Sequence, residues 1–476
     1  MKKNALILFT AFLALQFAAR AAYKVRLKMP DVKDTMVYLA HYYGQGGNKV
    51  YMADSAKMIK GTAVFERNDP DFVGGIYIIL IGHQNFEILL NKGDDFTVTA
   101  RKSDLPDGIT FKNSPENDRF MKYKEFTQKY ATVQKQLEAD IKEAKTATDT
   151  DLIRKKAIAA NKERIKYMQD YVHNYHGTLL ADIFNAMYMP EIPEGAHLLE
   201  DGVTRDSTFA YRYYKGHYWD SLNFRDDRLI YTPIYDSKID EYITKLTLPA
   251  PDSIEKECDM LLGKAKGTKD MFHYTLWWLT HHVEESKIMG MDEVFVYLVE
   301  NYYMKGDAFW LTNEELQKYI KHAMDIAPNV IGNVAPEIER PNLFTSKEES
   351  LHKIDAKYTV IVFYSPTCGH CQHELPLLDS VYEALLKDKG VKVFTIATEG
   401  TDKQITDFLI KLKVDKEWIN TEDTAHVTDC RSKYDVYSTP TIYLVDEKKI
   451  IRGKRLDHSN IPQVIEMLDR KHVSKL

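Results

Sequence analysis

Between Tyr23 and about Phe111 apolar and polar positions alternate: Val25, Leu27 and Met29 interleave with Lys24, Arg26 and Lys28, so one face of a strand is apolar. Further strands are predicted over Met36 to Tyr42, Lys49 to Ala53, Thr62 to Glu66, Ile76 to Ile81, Phe86 to Leu90 and Phe96 to Ala100. Gly44, Gly46-Gly47, Gly61, Gly74-Gly75 and Gly93-Asp94 punctuate them, and short strands at this spacing predict a small β-sandwich. From about Pro115 to Pro328 the period becomes helical: Tyr123, Phe126, Tyr130, Val133, Leu137 and Ile141 recur every three or four residues. A second helix runs to about His176 and stops at Gly177, while Thr312-Asn313-Glu314-Glu315 is a capping box that opens the last helix, which Pro328 closes. From about Gly332 strands (Thr359 to Tyr364, Val391 to Ala397, Thr441 to Val445, Lys449 to Arg452) alternate with helices (Cys371 to Leu386, Asp402 to Leu412, Asn460 to Lys471), as in an α/β domain. The predicted architecture is multidomain: an N-terminal β-sandwich over 22–113, an α-helical middle domain over 114–331 and a C-terminal α/β domain over 332–476.

Residues 1–21 stand apart. Lys2 and Lys3, the apolar run Ala5 to Ala14 and Ala19-Arg20-Ala21 read as a signal peptide with cleavage before Ala22. The run is shorter than the roughly 20 residues a spanning helix needs, and no Cys follows it to carry a lipoprotein anchor. No later apolar run is long enough to span a bilayer; the longest, Ile76 to Ile81, reads as a buried strand. The expected product is exported to the periplasm or cell envelope and soluble after signal cleavage. The 476 residues are 44% hydrophobic and 28% charged, so the chain can build sizeable cores. Its net charge of -6 falls to -9 once Lys2, Lys3 and Arg20 are removed, which argues against a nucleic-acid partner.

Only four cysteines occur, too few for a disulfide-stapled framework. Two of them form Ser365-Pro366-Thr367-Cys368-Gly369-His370-Cys371, a C-x-x-C between a strand and a helix. At that junction Cys368 faces free N–H groups and the positive end of the helix dipole, which favours its thiolate, and Cys371 is spaced to resolve a mixed disulfide. A structural zinc site or an inert disulfide competes with this reading, but zinc usually needs a second ligand pair, and neither Cys258 nor Cys430 belongs to another C-x-x-C. His281, His282, Glu284 and Glu285 lack the H-E-x-x-H spacing and read as a solvated helix face, so no metal site is expected.

Strand, C-x-x-C, helix and then Ser438-Thr439-Pro440-Thr441 before a strand together resemble the thioredoxin fold. Cys368-x-x-Cys371-x-x-Glu374-x-Pro376 resembles, more narrowly, the TlpA-like or ResA-like envelope thiol-disulfide oxidoreductases, over about Pro336 to Asp457. The resemblance implies that Cys368 is the nucleophile, Cys371 the resolving thiol, Glu374 a carboxylate near the sulfurs, and Pro440 a cis-proline beside a Thr439 backbone that pairs with substrate. Pro376 should kink its helix. Where thioredoxins carry a buried Asp, this chain has Val362, which leaves Glu374 as the candidate to shuttle a proton for Cys371. The Gly369-His370 spacer is that of protein disulfide isomerases, and His370 should raise the potential above that of thioredoxin. The implied partners are client proteins with thiols or disulfides and an upstream membrane or envelope thiol reductant; no cofactor is implied, and oligomeric state is left open. The front regions (Asp220 to Asp240, Asp307-Ala308-Phe309-Trp310) resemble exported multidomain proteins whose front halves have no assigned activity.

Two other functions compete. The aromatics of Phe209 to Tyr235 could line a glycan or peptide groove, with the thioredoxin module ancillary, or they could be packing between helices. A thiol peroxidase would want Thr or Ser three positions before the cysteine and Pro seven before; Ser365 fits the first, but Ile361 stands at the second.

Overall fold

The computed structural model describes residues 21–44, 49–414 and 417–473, the last three by backbone only. Residues 1–20, which hold nearly all of the signal peptide expected over 1–21, and the Gly46-Gly47 pair lie outside the described residues. The chain divides into two compact units, residues 1–246 with 264–274, and residues 247–263 with 275–476.

The first unit opens with eight strands: β1 Tyr23–Lys28, β2 Thr35–Tyr42, β3 Val50–Met58, β4 Thr62–Arg67, β5 Gly75–Ile81, β6 Gln84–Leu90, β7 Asp94–Thr99 and β8 Thr110–Lys112. They form two four-stranded sheets, β4-β1-β7-β8 and β3-β2-β5-β6. Val25, Leu27, Phe65, Phe96 and Val98 of one sheet share a core with Val37, Leu39, Ile79, Phe86 and Ile88 of the other, which is the β-sandwich that the alternation predicts. Between β3 and β4, Lys60 and Gly61 both have positive φ (49° and 72°), the tight turn that matches strand twist. A Cβ on Gly61 would sit 2.7 Å from the Met29 carbonyl oxygen, so the position is closed to larger residues.

Among the described residues this unit also holds five whole α-helices: α1 Pro115–Glu143, α2 Ala147–Asn174, α3 Leu179–Met187, α4 Phe209–His217 and α5 Ile234–Lys245. The first two pack against each other, with Phe126 stacked on Tyr167 at 4.5 Å. Asn117 on α1 ties the helices to the sandwich, accepting from Leu89 N at 2.7 Å and donating to Leu89 O at 2.8 Å. Of the aromatic stretch, Tyr218, Trp219, Phe224 and Tyr235 are buried against one another, so this half packs a core and lines no groove. Tyr211 is exposed and donates to the Leu246 carbonyl at 2.7 Å.

The second unit takes most of α6 Pro251–Ala265 and α7 Asp270–Glu284, followed by α8 Met291–Leu298 and α9 Asn313–Ile326. The capping box at Thr312 and Glu315 forms in both directions. A hairpin, β9 Glu339–Pro341 with β10 Glu348–Ser350, precedes β11 Tyr358–Tyr364, α10 Gly369–Val381, β12 Val391–Ala397, α11 Asp402–Leu412, β13 Ile419–Glu422, α12 Cys430–Lys433, β14 Thr441–Asp446, β15 Ile451–Lys454 and α13 Ile461–Val473. The five-stranded sheet runs β13-β12-β11-β14-β15, with β11 to β13 parallel and β14 and β15 antiparallel. Every residue of the central strand β11 is buried. Val360, Val362 and Tyr364 enter one core and Ile361 and Phe363 the other, as the two faces of a covered sheet require. The buried Lys454 ammonium of β15 pairs with Asp292 of α8 and donates to Asn329 at 2.6 Å, which ties the helices to the sheet within this unit.

Candidate active site

β11 ends at Tyr364, and Ser365, Pro366 and Thr367 carry the chain to Cys368, the N-cap of α10. Helix N-termini leave N–H groups without intrahelical partners, and here the Cys371 N–H donates to Cys368 Sγ at 3.4 Å. Cys368 is half-buried and Cys371 fully buried, and both are free thiols. The strand that follows α12 brings in the other wall: the Thr439–Pro440 peptide bond is cis, and the Thr439 carbonyl accepts from Cys368 Sγ at 3.1 Å. Thr441 Oγ1 donates to the Ser438 carbonyl at 2.6 Å and closes this turn.

The two sulfurs differ in their readiness to ionise. Burial raises the Cys368 thiol, but hydrogen bonding to the Thr439 side chain and to the N–H groups of Cys371 and His370 outweighs it and holds the thiol below the usual range. The carbonyl contact to Thr439 favours the protonated form, and the N–H contacts favouring thiolate prevail. Burial pushes the Cys371 thiol up to about 12, and the adjacent Cys368 sulfur adds to the rise.

Cys368, Cys371, Thr439 and Pro440 therefore come together, with Gly369 and His370 exposed at the mouth. A Cβ on Gly369 would meet open space, so nothing covers the spacer. Val362 is buried inside the sheet, and its side chain has no proton to offer. Glu374 follows one turn after Cys371, but its carboxylate is engaged by His458, whose backbone N–H donates at 2.6 Å and whose Nδ1 lies 3.0 Å from each oxygen. Among the described residues neither sulfur is a hydrogen-bond partner of Glu374. His458 sits in the loop between β15 and α13, and no pattern in the sequence singles it out. Ser365 Oγ lies 3.0 Å from Thr367 Oγ1, and either hydroxyl can be the donor.

The remaining cysteines are isolated. Cys430 Sγ donates to Asp423 Oδ2 at 3.0 Å, and burial raises its thiol and that of Cys258 far above the usual range. His281 and His282 stack on Trp277 and Trp278. Among the described residues no group of three or more His, Cys, Asp and Glu is placed to hold a metal ion, and no helix is long and apolar enough to cross a membrane.

Residues 331–454 match the AhpC/TSA family. The C-terminal domain is an α/β thioredoxin-like domain. Ahead of it, residues 23–120 and 132–327 match two domains of unknown function, DUF4369 and DUF5106. Among curated proteins the chain is 23% identical over 215 residues to protein disulfide isomerase-like 1-3 of Oryza sativa subsp. japonica, a match covering 44% of this chain but only 36% of that protein. It is 26% identical over 149 residues to the thioredoxin-like protein YneN of Bacillus subtilis, covering 29% of this chain and 78% of the relative. Among solved structures, a thioredoxin-like protein from Bacteroides caccae aligns at 19% identity and TM-score 0.45, over 59% of this chain and 98% of that one. A domain of a possible thiol-disulfide isomerase from Cytophaga hutchinsonii aligns at 30% identity and TM-score 0.29, over 31% and 99%.

Proposed function

We propose that this chain is an exported thiol-disulfide oxidoreductase of the TlpA-like kind that exchanges disulfides with proteins of the periplasm or cell envelope through Cys368-Gly369-His370-Cys371. The observation that carries this reading is the contrast between the two sulfurs. One is partly exposed and held toward its thiolate at a helix N-terminus; the other, buried with a pKa of about 12, stays protonated until called on. In the reductive direction the Cys368 thiolate attacks one sulfur of a client disulfide. That bond breaks, the Cys368–client bond forms, and the departing client sulfur takes a proton. Cys371 then loses its proton and attacks Cys368 Sγ, which releases the second client thiol and leaves the Cys368–Cys371 disulfide. The client gains two electrons and the enzyme loses two, which an upstream membrane or envelope thiol reductant restores.

Pro440 and the Thr439 backbone are proposed to flank the client chain, a role supported by the 3.1 Å approach of the Thr439 carbonyl to the attacking sulfur. Glu374 is proposed to receive the Cys371 proton, supported by its place one helical turn beyond that residue. Exposed His370 is proposed to stabilise the thiolate and lift the potential above that of thioredoxin. Insulin reduction by the full chain tests the reading. It should be lost on replacing Cys368 and Cys371 by Ser, and reduction that persisted would overturn it.

A further inference from the structure

The loop between β15 and α13, residues 455–460, is pinned along its length. Just ahead of it the buried Lys454 pairs with Asp292 and donates to Asn329 at 2.6 Å. Arg455 adopts a left-handed φ of 53°, a conformation that a non-glycine residue keeps only where its surroundings hold it, and donates to Asp435 at 3.2 Å. The Leu456 N–H donates to the Ile442 carbonyl at 3.1 Å. Asp457 Oδ1 accepts from the N–H groups of Ser459 and Asn460 at 2.8 and 3.1 Å, and Asn460 Oδ1 accepts from the Asp457 N–H at 3.0 Å. His458 is therefore carried on a fixed backbone.

From that backbone His458 makes three contacts to one carboxylate, with its N–H 2.6 Å from Glu374 Oε1 and its Nδ1 3.0 Å from each oxygen. Asp457, the neighbouring charge, is taken up by Ser459 and Asn460 and does not draw the ring away. A carboxylate offers about four lone-pair sites, and these contacts fill up to three of them. One is left for a proton. The Glu374 side chain is only 16% exposed and stands three residues after Cys371 on α10, a spacing at which helical side chains are neighbours. The Cys371 thiol, pushed up to about 12, has to lose its proton before it can resolve a mixed disulfide. A long, freely rotating glutamate serves that step poorly; one held in a single orientation serves it well.

We propose that His458 is a positioning residue for the resolving half-reaction, holding the Glu374 carboxylate where the Cys371 proton arrives. The proposal rests on the oxidoreductase reading with Glu374 as proton acceptor, and adds the group that aims it. In this step Cys371 gives its proton to Glu374, and its electron pair forms the bond to Cys368 Sγ. The Cys368–client bond breaks, and its pair leaves with the client sulfur. Glu374 then passes the proton to water, while His458 only donates hydrogen bonds. Cys368 is held toward its thiolate by the Thr439 side chain and the N–H groups of Cys371 and His370, so its own attack does not depend on His458.

The test mixes the full reduced chain with glutathione disulfide in a single turnover, and acid-quenched mass spectrometry follows the glutathionylated chain as it forms and as it resolves. His458→Ala keeps only the backbone donor, His458→Asn puts an amide N–H where Nδ1 stands, and His458→Gln keeps a polar side chain but places its amide where Nε2 stands. His458→Ala and His458→Gln should each resolve roughly tenfold more slowly than the wild type, and His458→Asn should recover to within about threefold. All should form the mixed disulfide within about twofold of the wild-type rate. In a Glu374→Gln background His458→Ala should slow resolution by less than about twofold further, because His458 acts only through that carboxylate. Formation and resolution slowed in equal proportion would make the role structural and overturn the proposal. So would wild-type resolution in His458→Ala or His458→Gln, or a full His458 effect in the Glu374→Gln background. Wild-type resolution in Glu374→Gln alone would overturn it too and leave the oxidoreductase reading standing. A wild-type chain that formed no mixed disulfide would overturn that reading itself, and the positioning role with it.

Discussion

The carboxylate of Glu374 is clasped by His458, with the backbone N–H at 2.6 Å and Nδ1 at 3.0 Å from both oxygens, and this ties the active-site helix α10 to the loop ahead of α13. If Glu374 also receives the Cys371 proton, Glu374→Gln keeps an acceptor for His458 yet loses the base. Resolution of the mixed disulfide should then slow by about 10- to 100-fold in single-turnover mixing, while alkylation of Cys368 by iodoacetamide changes little. An unchanged resolution rate, together with a lowered melting temperature for Glu374→Ala, would leave Glu374 the role of a clasp alone.

The pH dependence follows from the two sulfurs. An acid held below its usual range ionises at lower pH, so the rate of Cys368 alkylation should rise with pH and reach half its maximum at a lower pH than for an unperturbed cysteine thiol. Cys371 should stay unlabelled at neutral pH, since its thiol is pushed up to about 12. Thr439→Val removes the hydroxyl that favours the thiolate and should shift the Cys368 midpoint upward. Mass spectrometry after timed alkylation at a series of pH values measures all three.

Cys258 and Cys430 should be spectators of turnover. A serine at 430 can donate to Asp423 as the thiol does, whereas a serine at the fully buried 258 takes a more polar hydroxyl out of water, at a cost of roughly 1–3 kcal/mol if it finds no partner. The double Ser variant should keep insulin turnover within about a factor of two, with a lowered melting temperature that comes mainly from position 258. A large loss of turnover in the folded variant would bring a third thiol into the electron path.

Much of this organisation is legible in the sequence because burial leaves a periodic trace. Val25, Leu27 and Met29 alternate because β1 covers one face, and β11 reads as an unbroken apolar run because both of its faces are covered. The Thr312 and Glu315 capping box and the C-x-x-C are local motifs, so a short window contains each whole. β13 is missed because its buried side chains are polar: Asn420 donates to the Val414 carbonyl at 3.1 Å and the Trp418 carbonyl at 3.0 Å, and Thr421 donates to the Thr395 carbonyl at 2.8 Å. Those bonds make polar residues admissible in a sheet interior, and hydrophobicity alone cannot register them. β9 and β10 are only three residues each, too short for a period to show. The His458 clasp joins residues 84 positions apart, a pairing that becomes visible only in three dimensions.

Export is open to a direct check. Ala22 is buried at the head of β1, its N–H donating to the Arg67 carbonyl at 2.7 Å and its carbonyl accepting from Gly93 N at 2.6 Å. A chain cut before Ala22 would keep both contacts. N-terminal sequencing of the cell-envelope protein should begin at Ala22, and an intact Met1 on a membrane-embedded product would refute signal cleavage.

The order of attack is the central claim, and one variant tests it most directly. Cys371→Ser leaves Cys368 at the helix N-terminus, with the residue-371 N–H still available to its sulfur, and removes only the thiol that resolves the mixed disulfide. Expressed in the native compartment, this variant should accumulate client proteins bonded to Cys368 that are released by dithiothreitol, while Cys368→Ser should trap few or none. Clients found instead on Cys371 in the Cys368→Ser protein would reverse the roles assigned to the two sulfurs.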